Sequence, residues 1–320
     1  MEAKMMTLNQ RTGVEAPQKR IFLDSTSLLG DGAALRARAA DEGYLFFKSL
    51  LPVEDVSEVR ADLLEVVEQF GWRADGADPW SGALEMQEVE KAPAEAMRLD
   101  IGVTSAMYQA AQKRESLHRL PHHPRLIAVY AALFECEPFV HPRHIARMVT
   151  PHPAMTPTPA HQDFPLIQGS FNTWTCWFPL GDCPRTLGGL SVLRGSHQLG
   201  TLPVQPASGA GGISAQLCPW ENQWVEGDFS VGDVLTFPCH TVHKALPCRH
   251  ADQIRLSLDV RYQPADEEIE ARSLSPHCEL SWEEIYADWK QDDLKYYWRE
   301  HEMELVPYSD SYHQPARRIC

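Results

Sequence analysis

The chain has 320 residues, of which 43% are hydrophobic and 23% are charged, and its formal net charge at pH 7 is −15. This composition is ordinary for a globular protein and argues against a chain that is disordered throughout. The negative charge disfavours non-specific binding to nucleic acid or to anionic membranes. The best apolar run, residues 126–134, is shorter than the roughly 20 residues that cross a bilayer.

The cysteines and the N-terminus indicate the compartment. The eight cysteines are scattered and include no CxxC pair, the spacing typical of zinc and redox sites. Residues 1–20 are polar and lack the apolar stretch of a secretory signal peptide, so we expect a flexible tail there. We therefore expect a cytoplasmic protein with mostly reduced thiols.

The next part of the chain has mainly helical patterns. Apolar residues recur at three- and four-residue spacing over 56–70 and predict an amphipathic helix, with Pro52 in its first turn and Gly71 at its end. The other elements predicted here are a short helix at 34–40, a strand at 43–47, a loop at 72–95 and helices at 96–118 and 126–134.

From residue 141 the pattern changes to short alternating segments separated by Pro, Gly and Asp, which is typical of a β-sandwich or barrel. The clearest segment is 254–262, in which polar and apolar residues strictly alternate. Its polar positions are Arg255, Ser257, Asp259 and Arg261. Residues 171–180 and 233–238 are further strands, and helices followed by strands indicate an α+β fold.

Two later segments complete the prediction. Residues 205–223 contain a Gly-rich stretch and predict a flexible insert that lacks the Lys and Ser/Thr of a phosphate-binding loop. Ser281 and Glu284 fit a capping box that opens a helix reaching about Glu300. We expect its aromatic side chains to make packing or dimer contacts. They are Trp282, Tyr286, Trp289, Tyr297 and Trp298.

His161 and Asp163 are the first candidate metal ligands. On a strand, residues two apart point the same way, so these two side chains can bind one ion together. His243 follows the strand that ends near Pro238 and supplies a third ligand. Two imidazoles and one carboxylate leave positions open on the ion, which suits non-haem Fe(II) enzymes that bind a co-substrate and O₂. A hydrogen-bonded surface pair is the alternative interpretation of His161 and Asp163.

Arg255 is the second candidate, on the polar side of the strand at 254–262. We expect the turn at 247–252 to bring this strand back beside His243. A guanidinium there can hold a carboxylate by two parallel hydrogen bonds, as a dicarboxylate co-substrate requires. The alternative is a polar face that is simply solvated, which is common in antiparallel sheets.

Two other polar groups give weaker signals. A basic cluster precedes the His161 segment and is either a contact for an anionic substrate or a solvated face. It consists of His141, Arg143, His144 and Arg147. Cys239 and His240 are adjacent, and neighbours on a strand point to opposite faces, so they form a poor nucleophile–base pair.

These segments resemble the phytanoyl-CoA dioxygenase family of Fe(II)/2-oxoglutarate-dependent oxygenases. The resemblance covers about 141–263 and extends weakly to the segment GYLFFKSLLPVEDV in the region 40–140. The matching pieces are His161-Gln162-Asp163, Trp177 within TCWFPL, residues 188–197 (GGLSVLRGSH), residues 232–243 (GDVLTFPCHTVH) and Arg255 within IRLSLDVRY.

The resemblance implies a double-stranded β-helix, the jelly-roll or cupin-like core, with N-terminal helices packed on it and a C-terminal helix. It implies that His161, Asp163 and His243 bind Fe(II). Arg255 would hold the C5 carboxylate of 2-oxoglutarate, with Trp177 beside it. The expected plan is a flexible tail at 1–20 and a single oxygenase domain at 21–320, made of helical support at 21–140, a jelly-roll core at 141–264 and a helical extension at 265–320.

The chain departs from the family at one position. A small hydroxyl residue is common two positions after the second histidine, where this chain has Ala245. Ser257, on the same strand face as Arg255, is the substitute we expect for that contact with 2-oxoglutarate. Asp163 keeps the carboxylate ligand that halogenating relatives replace with a small residue, which disfavours chlorination.

The expected activity is hydroxylation of an unactivated C–H bond of a small molecule, with O₂ consumed and succinate and CO₂ released. We expect Arg147, His144 and Phe164 to contact the substrate. The basic residues among them would suit an anionic molecule. A metal-binding jelly-roll isomerase or non-catalytic binding module is one alternative, and an oxygenase for a protein- or carrier-bound substrate is another. We expect a monomer or homodimer with no nucleic-acid or membrane partner.

Overall fold

The structure of the protein is a computed structural model that describes residues 20–217 and 223–313. The predicted tail therefore lies, apart from Arg20, outside the described residues. The helices are α1 (Gly32–Glu42), α2 (Val53–Gln69), α3 (Met86–Val89), α4 (Ser105–Gln112), α5 (Glu115–Arg119), α6 (Pro124–Phe134), α7 (Phe164–Ile167) and α8 (Trp282–Tyr286). The strands are β1 (Leu45–Phe47), β2 (Pro138–Val140), β3 (Ile145–Val149), β4 (Trp174–Pro179), β5 (Leu190–Leu193), β6 (Val204–Pro206), β7 (Ile213–Ala215), β8 (Trp224–Glu226), β9 (Val234–Pro238), β10 (His243–Ala245), β11 (Arg255–Pro264), β12 (Ile269–Glu270) and β13 (Leu305–Val306).

The longest helix, α2, forms where the apolar spacing predicts it. Val56, Val59 and Leu63 lie on its buried face, and this burial rather than helix propensity supplies most of its stability. Pro52 is the N-cap residue, with an extended backbone. Gly71 follows the C-terminus with a φ of 73°, a conformation that a glycine adopts without steric cost.

Two antiparallel sheets form the core. The main sheet has the strand order β1-β9-β4-β11-β2, with β3 also paired to β11, and the smaller sheet has the order β10-β5-β8. Side chains from both sheets share one apolar cluster that includes Phe46, Trp177, Val192 and Phe237. This two-sheet sandwich, with helices on one side, confirms the expected jelly-roll and α+β class.

An interior strand of the main sheet, β11, is buried on both faces along all ten of its residues. Leu256, Leu258 and Val260 belong to the apolar core that contains α2 and α6. The alternate residues Arg255 and Arg261 therefore point away from the helices, and they are only 4% and 6% exposed. The alternative of a solvated polar face is wrong, because this face encloses cavities instead.

The region at 72–118 differs from the prediction. The expected loop contains α3, and the expected helix at 96–118 begins only at Ser105, after a turn closed by a bridge between Met97 and Thr104. Gly102 causes the interruption, since it has a φ of 112° and a Cβ there would lie 2.5 Å from the Cα of Val149. The turn is thereby packed directly against β3.

The long C-terminal helix is also wrong. The capping box of Ser281 and Glu284 is present, but α8 has only five residues. The rings of Trp282 and Trp298 have centroids 4.8 Å apart, whereas sixteen residues of continuous helix would separate them by about 24 Å. Burial of the aromatic side chains in one cluster, as packing contacts, therefore outweighs continuation of the helix.

Three further predictions can be compared with the described part of the structure. The segment at 205–223 contributes to a β6–β7 hairpin, and its residues 218–222 lie outside the described residues. The six cysteines in the described ranges are all free thiols. Across those same ranges, no helix combines the length and the apolar character that crossing a bilayer would require.

Candidate active site

His161, Asp163 and His243 converge at one end of the space between the sheets. The backbones of His161 and His243 exchange two hydrogen bonds of 2.9 Å, so the strand pairing of β10 extends to His161. Asp163 is not on a strand as predicted. It is the N-cap residue of α7, and its φ and ψ of −72° and −33° are helical. That turn still directs the carboxylate to the imidazoles, and the ligand atoms of all three residues lie within 4.8 Å of one another.

The orientation of each imidazole fits a metal ligand. His161 Nδ1 lies 2.8 Å from the carbonyl oxygen of Pro159, and His243 Nδ1 lies 3.1 Å from that of Thr241. Because a carbonyl only accepts, both Nδ1 atoms carry the proton and both Nε2 atoms offer a lone pair. The Nε2 atoms lie 3.5 and 3.8 Å from Asp163 Oδ1. Burial lowers the pKa of His243 to about 4, which keeps it neutral.

The other oxygen of Asp163 is held by two neighbours in the main sheet. Thr175 Oγ1 and Arg261 Nη2 both donate to Oδ2, the latter at 3.1 Å. Thr175 and Arg261 are partners across β4 and β11. Burial opposes ionisation of Asp163, but the positive charge of Arg261 and the nearby His243 outweigh it and hold the pKa of the carboxyl well below its usual range. Oδ1 is thus left to face the two imidazoles.

These three residues fit Fe(II). Two imidazole nitrogens and one carboxylate oxygen form the facial set of ligands used by non-haem iron enzymes, and the rest of the coordination sphere stays open. The three residues are only 4–6% exposed, and all three line one cavity.

This first cavity, of about 390 Å³, is lined by two of the three predicted 2-oxoglutarate residues, Arg255 and Trp177. Arg255 lies over Trp177, with its Cζ atom 5.8 Å from the ring centroid, and donates from Nη1 to Ser257 Oγ at 2.6 Å. Burial lowers the pKa of Arg255. Its Nε has no partner among the described residues. A buried guanidinium with unused donors suits a ligand carboxylate.

The position of Arg255 relative to His243 differs from the prediction. Their strands, β11 and β10, belong to different sheets and are not neighbours. Both residues, and Ala245, reach the first cavity from facing sides of the sandwich. Ser257 does not line this cavity, so in the structure it acts on the guanidinium of Arg255 rather than filling the place of the missing hydroxyl.

A second cavity, of about 360 Å³, adjoins the first. The two share Asp100, Arg147, His161, Asp163 and Arg261 as lining residues. A larger and more open groove of about 1020 Å³ lies elsewhere and is lined by none of the three ligand residues. The ligand set therefore lines two adjoining cavities, one of which is also lined by Arg255.

The structure separates the three predicted substrate residues. Arg147 lines both cavities. His144 lines neither and packs its ring 5.3 Å from that of His118. Phe164 also lines neither and stacks on Phe171 and His240. Only Arg147 therefore lies where a molecule in a cavity could reach it.

Cys239 and His240 are in contact, contrary to the prediction. They occupy the turn after β9 rather than a strand, and Cys239 Sγ lies 3.4 Å from His240 Nδ1. Burial nonetheless raises the pKa of the Cys239 thiol, which keeps it protonated and unreactive.

The sequence reasoning missed the roles of Thr175 and Arg261 beside Asp163. A signal for both was present, because Thr175 is two residues before Trp177 and Arg261 shares the alternating face of Arg255. Their convergence on Asp163 depends on the register of β4 against β11, which the sequence does not reveal.

Comparisons with known proteins agree with this geometry. The phytanoyl-CoA dioxygenase (PhyH) family matches residues 40–256, more than half of the chain. A 1-deoxypentalenic acid 11-beta-hydroxylase of Streptomyces arenae is 26% identical over 270 residues, which cover 80% of this chain and 89% of that protein.

Solved structures support the fold. The epimerase SnoN in complex with Fe³⁺, alpha ketoglutarate and nogalamycin RO matches with a TM-score of 0.54 and 21% identity, over 75% of this chain and 86% of SnoN. EvdO2 from Micromonospora carbonacea var. aurantiaca matches with a TM-score of 0.50 and 16% identity, over 74% of this chain and 92% of EvdO2. The chain belongs to the phytanoyl-CoA dioxygenase family and is a non-haem Fe(II)/2-oxoglutarate-dependent oxygenase.

Proposed function

We propose that the protein hydroxylates an unactivated C–H bond of a free small molecule that carries an anionic group. The observation that supports this proposal is the convergence of His161, Asp163 and His243 where two cavities adjoin. One cavity is lined by the buried Arg255, and the other is lined by basic side chains.

In this proposal His161, Asp163 and His243 bind Fe(II), and Arg255 binds the C5 carboxylate of 2-oxoglutarate beside Trp177. Bound Fe(II) with 2-oxoglutarate and O₂ supplies the oxidising chemistry, in which the substrate C–H becomes C–OH and 2-oxoglutarate becomes succinate and CO₂. Ser257 orients Arg255 through its 2.6 Å hydrogen bond. Burial of the ligand residues excludes water from the reacting atoms.

Two findings support a free small molecule as the substrate. The volume of the second cavity lies within the range of roughly 300–1,000 Å³ that is usual for small-molecule sites. The Streptomyces relative is named as a hydroxylase of an acid, which favours hydroxylation and an anionic substrate here. The free state of the described cysteines is compatible with the reducing cytoplasm that we expect.

The experiment that tests the proposal begins without a substrate. Fe(II) and 2-oxoglutarate are added anaerobically to metal-free protein, and the weak visible charge-transfer band of the chelate is recorded. We expect the band in the wild-type protein and no band in Asp163→Ala. Fully iron-loaded protein that gives no band would contradict the proposed binding mode.

The same samples are then exposed to O₂ with 1-deoxypentalenic acid and other small carboxylic acids. Succinate formation that rises with one of these acids, together with a product that carries one added oxygen atom, is the expected result. A dehydrogenated or epimerised product would retain the site but contradict hydroxylation.

A further inference from the structure

We propose that Arg261 is the anchor for a carboxylate group of the substrate, in the second cavity, at the opposite end of β11 from Arg255. This inference rests on the proposed function and deepens it. It assigns to Arg261 a second task besides its contact with Asp163, and it defines the substrate class as a compact apolar molecule with one carboxylate.

The first argument is the incomplete hydrogen bonding of Arg261. Its Nη2 donates to Asp163 Oδ2 at 3.1 Å. Its Nε and Nη1 are buried and have no partner among the described residues, and the residue is 6% exposed. Buried donors of a cation are costly when they lack an acceptor, so such groups indicate a ligand or ordered water. The Nε–H and Nη1–H groups are therefore each free to donate to an oxyanion.

The second argument is that the other arginines of the second cavity are already engaged. Arg147 donates from both Nε and Nη2 to Asp259 Oδ2, each at 2.7 Å, which neutralises its charge. Arg143 donates from Nη1 to backbone carbonyls of the segment 272–276. The anionic group that sequence analysis assigned to Arg147 is therefore better placed on Arg261.

The acidic residues of the second cavity do not cancel this attraction. Asp100 forms an ion pair with Arg98, with 2.7 Å between Oδ2 and Nη2. Asp163 directs Oδ1 to the imidazoles and is the proposed metal ligand. With the metal bound, the positive charge of Arg261 is shared only in part with Asp163, and a second carboxylate can complete its pairing.

The third argument is the spacing along β11. Arg255 and Arg261 lie on the same strand face and are six residues apart, which corresponds to about 20 Å. Of these two cavities, Arg255 lines only the first, whereas Arg261 lines both. The strand thus offers one guanidinium to each side of the ligand set, and the substrate carboxylate lies away from the C5 carboxylate of 2-oxoglutarate.

One part of the wall of the second cavity suits an apolar body, although His141, Arg143, Ser273 and His277 also line this cavity. Side chains of β3, of α7 and of the segment after β6 complete its wall beside Arg261. They are Ile145, Leu166, Ile167 and Ala210. A ligand that places its carboxylate on Arg261 would rest its hydrocarbon part on these side chains, next to the metal position.

The test uses pairs of ligands that differ only in charge. Wild-type protein loaded anaerobically with Fe(II) and 2-oxoglutarate is titrated with adamantanecarboxylate and adamantanecarboxamide, and with the cyclohexane analogues. Binding is read from the change in the chelate band and from the shift in Tm. We expect each carboxylate to bind at least about tenfold more tightly than its amide.

Arg261→Gln is expected to reduce this carboxylate-to-amide ratio to about one. Both ligands are measured on the same variant, so a general weakening of the site leaves the ratio unaffected. The Tm shift keeps the ratio measurable if the variant has no visible band. Arg143→Gln is the matched control, since it removes another arginine of the same cavity and should keep the ratio.

Three outcomes would overturn the inference. They are the absence of any carboxylate preference in the wild-type protein, including the absence of binding, its persistence in Arg261→Gln, and its loss in Arg143→Gln alone. If the preference is absent while the chelate band forms, only this inference fails. If the wild-type protein forms no chelate band, the proposed function fails instead.

Discussion

The protein contains two groups of three side chains that lie close together, and only one of them has the geometry of a metal site. In the ligand set His161, Asp163 and His243, each imidazole fixes Nδ1 on a carbonyl and directs Nε2 to one shared carboxylate. A second cluster is formed by His118, His122 and His144, which we call the histidine cluster. Its rings lie 5.3 and 6.3 Å apart, measured from His144.

The histidine cluster has the burial of a metal site without its convergence. His118 Nε2 bonds to the carbonyl of Gln112, while His122 Nε2 and His144 Nδ1 have no partner among the described residues. The ring of His122 packs against that of Tyr297. Burial and residue type therefore do not define a site, whereas a shared carboxylate and a fixed tautomer do.

The largest expected effect breaks the ligand set at Asp163. Asp163→Ala removes the carboxylate on which both Nε2 atoms converge, so we expect Fe(II) affinity to fall by more than about 100-fold. Anaerobic calorimetric titration of the metal-free protein with Fe(II), which needs no visible band, measures it. His144→Asn, in the histidine cluster, is the matched control and should retain wild-type affinity. Equal losses in the two variants would remove the distinction between the groups.

The next effect concerns the far end of the first cavity. Arg255→Gln leaves the C5 carboxylate of 2-oxoglutarate without its cation, and we expect its Kd to rise by the equivalent of about 2–5 kcal/mol. Isothermal titration on the iron-loaded protein measures this change. Ser257→Ala keeps the guanidinium but loses its 2.6 Å hydrogen bond, so a smaller loss of about 1 kcal/mol is expected. A larger effect from Ser257→Ala would contradict these roles.

The histidine cluster should affect the pH dependence of stability rather than metal binding. Burial lowers the pKa of His118 and of His122 to about 4, and that of His144 well below its usual range. Between about pH 6.5 and 4 the unfolded chain binds protons that the folded chain excludes, so the free energy of unfolding falls as the pH falls. Each histidine contributes up to about 1.4 kcal/mol per pH unit.

Urea unfolding of the metal-free protein at several pH values measures this slope. We expect His118→Gln to have a shallower slope than the wild-type protein by the share of one histidine, whatever its absolute stability. Parallel slopes for the two proteins would show that His118 does not contribute to acid sensitivity.

A further prediction tests the role of Thr175. Thr175→Val removes one hydrogen bond to Asp163 Oδ2 while Arg261 still donates to it. We expect Fe(II) affinity to fall by about tenfold, as is usual when a group that orients a ligand is lost. Thr175→Ser, which keeps the hydroxyl, should restore most of the affinity in the same titration, and failure to do so would assign the effect to packing.

Local patterns predicted much of the fold because they depend on neighbours in sequence. Alternation located β11, and the capping box located the start of α8. The length of α8 depended on contacts between aromatic rings distant in sequence, and Gly102 acted through the distant β3. These tertiary contacts overrode the local preferences.

The identity of the metal ligands could be predicted from the chemistry of their side chains. His161, Asp163 and His243 converge although the strand geometry assumed for Asp163 is wrong, because a helical turn achieves the same approach. The sequence could not separate His144 from Arg147, since both lie in one basic stretch. Arg147 lies within β3, whose alternation turns it to the cavities, whereas His144 precedes the strand.

Because β11 is buried on both faces, its register against the neighbouring strands tolerates no shift. A shift by a single residue would exchange its two faces, so that guanidinium groups would enter the apolar core against the helices and leucines would enter the cavities. Insertion or deletion of one residue within this strand would therefore remove the fold and the chemistry together. The turn that precedes it, at 247–252, can change length without that penalty, so natural or engineered length variation should concentrate there rather than in the strand.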